Sequence, residues 1–241
     1  LGFTDKETPI TSTYYRYIDP KDKFRTLEID INNMNFKLQY DYESNPSTVF
    51  TGETVQSKEQ ALTEVKDFIQ FSGIFDGSIL NGNITTINLL YDPQTKTASV
   101  ASSLSNTNLM RINYFRKDLD SKKILPPAFN ENYNFALFTP ADKPNKRILR
   151  LNYTFWPIAF DNFGTYPLRS SEMAWQDLVD GYAFVVNLGN NNVENEIKIR
   201  NIYLAYYDSE DQQSYLQPIY VFEGNNDLVA YLPAIATDWL E

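Results

Sequence analysis

The chain has 241 residues, enough for one large or two medium domains, and its 31 Asp and Glu against 21 Lys and Arg give a net charge of −10. A field of that sign repels nucleic acid and anionic lipid surfaces. The chain contains no Cys and no His, which excludes disulfide frameworks, thiol chemistry, Cys- or His-ligated metals and Ser-His-Asp or Cys-His catalysis.

Seventeen Tyr and sixteen Phe favour strands, because aromatic rings fit a pleated, half-buried surface. Ser12 to Ile18 reads as a first strand, and Asp19-Pro20 as a turn. In Phe24 to Ile31, Leu27, Ile29 and Ile31 alternate with Glu28 and Asp30, the period-two pattern of a half-buried strand. Phe36, Leu38, Tyr40 and Tyr42 repeat that pattern against Lys37, Gln39 and Asp41. Ser57 followed by Gln60 is a capping-box arrangement, and Ala61, Val65, Phe68 and Ile69 then share one helical face up to Gly73. Thr85 to Tyr91, Thr97 to Ser102 and Leu109 to Arg116 read as three further strands, and Pro126-Pro127 as a boundary.

The second half opens with a strand at Tyr133 to Phe138, then Leu149, Leu151, Tyr153 and Phe155 alternate with polar residues. A loop with Phe160, Phe163 and Tyr166 leads to Ser170, a helix cap with Glu172 in the first turn. Ala174, Leu178, Tyr182 and Val185 are expected on the buried face of a helix that Gly189 and a run of Asn end. Ile197 to Tyr207 and Tyr215 to Phe222 form a β-hairpin around Asp208 to Ser214, followed by a strand at Leu228 to Leu232. Trp239 lies in the tail.

The halves share an internal offset. Phe36-Leu38-Tyr40-Tyr42 matches Leu149-Leu151-Tyr153-Phe155 at 113 residues, and so do Ser57 and Ser170, Ala61 and Ala174, Val65 and Leu178, and Phe71 and Phe184. After the helix the offset is 116, from Tyr91-Asp92 to Tyr207-Asp208. Two registers remain for the last strands, of which we prefer the one that sets Leu109 to Tyr114 against Leu228 to Pro233. The expected fold is α+β: two tandem related modules, 1–127 and 128–241, each with one main helix packed on an antiparallel sheet.

The helix Ser170 to Leu188, the strand Ile202 to Tyr207, the segment Tyr215 to Phe222 and the closing Leu228 to Pro233 follow one another as a helix and a meander. In this order the chain resembles the PepSY-type domains, and more specifically is similar to the extracytoplasmic repeats of the YycH/YycI-like regulatory proteins. The resemblance spans most of the chain at the level of element order. It implies a bacterial, extracytoplasmic ectodomain, held at the membrane by a segment upstream of Leu1 and acting through contacts with partner proteins. It carries over no catalytic residue.

Candidate chemistry is sparse. Asp208, Glu210 and Asp211 crowd a hairpin turn but lack the glycine and distal glutamate of a calcium loop, so they read as a solvated turn. Asp76-Gly77 and Glu194 with Glu196 read the same way. Paired carboxylates could hydrolyse a glycoside, yet among 31 acids no pair is singled out. Phosphate-loop, dinucleotide and nucleophile-elbow motifs are absent from the sequence. No cofactor and no metal are expected. Asn83-Ile-Thr85 and Asn152-Tyr-Thr154 match the glycosylation sequon.

The aromatic residues carry the functional expectation. Tyr203, Tyr206, Tyr207, Tyr215 and Tyr220 flank the hairpin, of which Tyr203, Tyr207, Tyr215 and Tyr220 are taken as candidates, and Trp156, Phe160, Phe163 and Tyr166 lie in or next to the loop before the second helix. Alternate strand residues face opposite sides, so the tyrosines cannot all be inside. They are candidate anchors for a protein or peptide partner. The leading expectation is a non-enzymatic binding or regulatory module. A cell-envelope scaffold and a carboxylate-based hydrolase are the alternatives.

Overall fold

The computed structural model describes residues 2–4, 6–73, 79–191 and 196–236. Asp76-Gly77, Glu194 and Trp239 lie outside the described residues. Fourteen strands and two α-helices occur among the described residues, so the fold is α+β but rich in strand. The strands fall into two sheets and the chain into two compact units: 1–114 with 133–156, and 115–132 with 157–241.

The first unit holds a nine-stranded sheet. Its strands are β1 (Thr8–Pro9), β2 (Tyr14–Asp19), β3 (Asp22–Asp30), β4 (Phe36–Tyr40), β5 (Ile84–Asp92), β6 (Thr97–Val100), β7 (Leu109–Tyr114), β9 (Phe135–Phe138) and β10 (Ile148–Tyr153). They run in the order β1-β2-β3-β4-β10-β9-β7-β5-β6, all antiparallel. Cross-strand register explains the alternation read in the sequence. Leu27 faces Leu38, Leu38 faces Leu151, Leu151 faces Ala136 and Ala136 faces Ile112, one apolar row across five strands. Helix α1 (Lys58–Ser72) lays Ala61, Val65 and Ile69 on that row, all fully buried. Each of the larger two contributes about 1.5–3 kcal/mol by burial. The Ser57 hydroxyl accepts the Gln60 N–H at 3.2 Å, but the Gln60 side chain donates to Glu64 at 2.9 Å instead of turning back, so only half of the expected capping box forms.

The second unit holds a five-stranded sheet. It contains β8 (Ile124–Leu125), β11 (Phe184–Asn187), β12 (Ile199–Tyr207), β13 (Gln217–Gly224) and β14 (Val229–Pro233), in the order β11-β14-β13-β12-β8. β12, β13 and β14 form the expected meander. β8 pairs parallel to β12, the one departure from antiparallel pairing among these strands. Helix α2 (Ser171–Val179) packs Ala174 and Leu178 against Phe222, Ala230 and Leu232. On the other face, Tyr203, Ala205 and Tyr207 join Ile219, Val221, Val229 and Tyr231, with Leu125 and Phe129 of the 115–132 segment packed on them.

Several expectations are corrected. The compact units have other bounds than 1–127 and 128–241: β9 and β10 lie in the first unit, and 115–127 in the second, so Pro126-Pro127 is no boundary. β10, offset by 113 from β4, pairs with β4 directly. Its alternation fits any apolar neighbour, and pairing over that separation is decided by packing and not by local pattern. After α1 the three strands are not a meander, because β5 sits between β6 and β7. The second helix ends at Val179, not Leu188. Gly181 takes φ +83°, its N–H reaches Leu178 O at 3.1 Å and the Tyr182 N–H reaches Asp177 O at 2.9 Å, a Schellman closure. The β-branched run after it forms β11, which leaves Tyr182 and Val185 exposed rather than buried.

Candidate functional site

The stretch from Pro157 to Leu188 in the second unit is a loop, a short helix and an edge strand. Arg169 anchors the end of the loop: its N–H donates to Ala234 O at 2.9 Å and its guanidinium pairs with Asp177 of α2. The Ser170 hydroxyl accepts the Met173 N–H at 3.2 Å and starts the helix. The Tyr220 hydroxyl donates to Arg169 O at 2.7 Å and ties the same corner to β13. Local order is therefore set by one buried arginine, one cap and one buried alanine, Ala174. Apart from half-buried Asp177 and Leu178, the rest of α2 is left to face outward.

The eight candidate aromatics separate by environment. Phe160, Phe163 and Tyr166 are exposed in the loop, Phe163 by 83%, and Tyr215 is exposed in the hairpin connection. The Tyr166 ring lies over Gly164, where an added Cβ would come within 2.9 Å of it. Trp156, at the end of the first unit, is half-buried. Tyr203, Tyr207 and Tyr220 are half-buried and belong to the sheet faces. Tyr207 meets Tyr231 edge-on at 6.5 Å. Tyr203 donates to Glu223 at 2.7 Å with the Lys123 ammonium 5.3 Å from its ring centre. These three are packing residues more than a surface.

The sequence reading missed exposed apolar residues on and after α2. Met173, Trp175, Val179, Tyr182, Phe184, Val185 and Leu188 are all open to solvent, Tyr182 by 69% and Phe184 by 68%. The available signal was Asp180-Gly181, a helix stop, followed by Ala183-Phe-Val-Val186, a strand-like run. The acidic turn also differs from expectation. Asp208 is buried and pairs with Arg116 at 2.9 Å, so this end of the turn is not solvated.

Two depressions on the first unit measure about 110 and 160 Å³. Both fall below the roughly 300 Å³ of small-molecule sites. The second is lined by Glu64 and Arg147, which pair with each other at 2.9 and 3.0 Å. Among the described residues, no three Asp or Glu gather as a metal-ligand group. The 157–188 stretch itself offers apolar area, ring faces and the open rim of β11.

Burial raises the hydroxyl pKa of several tyrosines. Tyr203 is pushed far up by desolvation and then by Glu223, Tyr114 and Tyr231 far up mainly by desolvation, and Tyr14 up to about 12 by desolvation and Glu28. A raised pKa keeps the proton in the folded state, so this stabilisation is full below pH 10 and is lost as the pH rises beyond it. Absorbance titration of the phenolates will therefore be biphasic, with the late phase coinciding with alkaline unfolding. One phase centred near pH 10 refutes this assignment.

Searches against family models, curated proteins and solved structures find no match to the chain. No helix among the described residues is long and apolar enough to cross a membrane.

Proposed function

We propose that the protein is a non-enzymatic binding or regulatory module and that its second unit makes the contact with a protein or peptide partner. One observation carries this reading. Of the 22 large apolar side chains exposed among the described residues, eleven fall between Phe160 and Leu188. Singly scattered exposed apolar residues need no explanation, whereas a concentration of them marks a contact surface. The anchors are Phe160, Phe163, Tyr166 and Trp175, rings that bring large area at low entropic cost.

The location we propose is extracytoplasmic, at a bacterial membrane, and it rests on the resemblance drawn from element order. We also propose that the chain arose from two related copies. Support comes from the Ser57 and Ser170 caps at one offset and from the nine-residue strands β5 and β12, which correspond between the halves. The strand of the later copy that matches β4, β10, pairs with β4 in the sheet of the earlier one.

A photo-crosslinker at Phe163 tests the binding reading, with the same group at Val100, exposed on the first unit, as control. In envelope extract, Phe163 is expected to give one stoichiometric adduct and Val100 none. Equal labelling from both positions, or a smear of adducts, overturns it in favour of a scaffold.

A further inference from the structure

We propose that β11 is a pairing edge for a second copy of this chain, so that two five-stranded sheets join about a two-fold axis at Val185. β11 ends its sheet and has a neighbour, β14, on one side only among the described strands. Natural edges are blunted by charge, proline or a covering element. From Gly181 to Asn191 there is no charged residue and no proline, and Phe184 and Val185 are open on the two faces of the strand.

The occupant is identified by what such a pair would bring together. In an antiparallel pair centred on Val185, that residue faces its own copy, Phe184 faces Val186, Ala183 faces Asn187 and Tyr182 faces Leu188. Except where Ala183 meets Asn187, apolar meets apolar, and Phe184 against Val186 sets aromatic against β-branched, the favourable cross-strand combination. Asp180 meets Asn190, so no like charges oppose one another. Two molecules of charge −10 repel elsewhere, and an uncharged edge is where they approach at least cost.

The helix side adds to the seam. The Asp177 flank of α2 is tied to Arg169, whose carbonyl takes the Tyr220 hydroxyl of β13. The opposite flank of the helix, which covers the sheet face of Phe222 and Ala230, carries Trp175 and Val179, both exposed. Val185 points to the same face and is 56% exposed, so α2 leaves β11 uncovered. Phe160, Phe163 and Tyr166 are not seam residues, whereas Trp175 and the exposed residues from Val179 to Leu188 would be shared between this contact and the partner contact proposed above.

The chain has no cysteine, so Val185→Cys introduces a single thiol. Opposed residues in an antiparallel pair lie about 4.5–5.5 Å apart at Cα, within disulfide range. Under mild oxidation the full chain with Val185→Cys is expected to form a covalent dimer, while Val100→Cys is not. In sedimentation equilibrium the unaltered chain is expected to dimerise, and Val185→Lys to weaken that association at least about tenfold with an unchanged circular-dichroism spectrum. A monomer throughout the micromolar range, a dimer unaffected by Val185→Lys, or equal crosslinking at Val100 overturns the proposal.

Discussion

Gly189→Ala is expected to destabilise the second unit by about 3 kcal/mol or more. Gly189 sits at φ +61°, in the left-handed region, and an added Cβ would lie 1.8 Å from Asn226 O. That contact is with backbone, so no side chain can rotate away. Gly189 belongs to a clasp in which the Asn190 N–H, the Asn187 amide and the Asn191 amide donate to Asn226 O, Asp227 O and Asn225 O, each at 2.9 Å. The clasp pins the end of β11 to the turn before β14, and pushing the two strands of backbone apart breaks all three bonds. Gly181→Ala is the control. Its φ is +83° but nothing lies within 4 Å of an added Cβ, so only the conformational term remains, about 1–2 kcal/mol. Hydrogen exchange of the β11 and β14 amides in the two variants separates the effects. Equal loss of protection in both would refute the role assigned to the clasp.

Asp208→Ala is expected to cost about 3–5 kcal/mol, because it takes the counter-charge from a buried guanidinium. The Arg116 and Asp208 side chains are each 9% exposed and meet at 2.9 Å. The Asp208 N–H also donates to Leu125 O at 2.9 Å, which holds β8 beside β12. Arg16→Ala gives the contrast. Arg16 pairs with Glu28 at 2.7 Å, but its side chain is half exposed, so its loss is worth under about 1 kcal/mol. The double variant Arg116→Met with Asp208→Ala is expected to recover part of the loss, since it removes the buried guanidinium together with its Asp208 partner. Urea unfolding of the three variants tests the ranking. A surface-sized effect at Asp208 would show that the pair contributes little.

Local features of the fold were legible where one residue type answers one local need. Ser57 and Ser170 accept the first free helix N–H groups as read, and Leu27, Leu38 and Leu151 turn inward as their alternation requires. The illegible features were long-range. Nothing in Leu149 to Phe155 tells that β10 inserts between β4 and β9, because alternation defines a strand's faces and not its neighbours. Nor does Asp208 announce Arg116, 92 residues away and beside the crossing into the second unit. The candidate site was half legible. The loop rings Phe160, Phe163 and Tyr166 are exposed, while Tyr182 and Val185 were placed inside a helix because their spacing from Ala174 and Leu178 suits one. Gly181 overrode that spacing.

The backbone passes between the two units at 114/115, 132/133 and 156/157. No single cut in the gene can therefore yield either half whole. Ending a fragment at residue 127 removes β9 and β10 and opens a gap in the middle of the larger sheet, between β4 and β7. For protein engineering the chain is one indivisible cassette, to be moved intact or dissected by point changes.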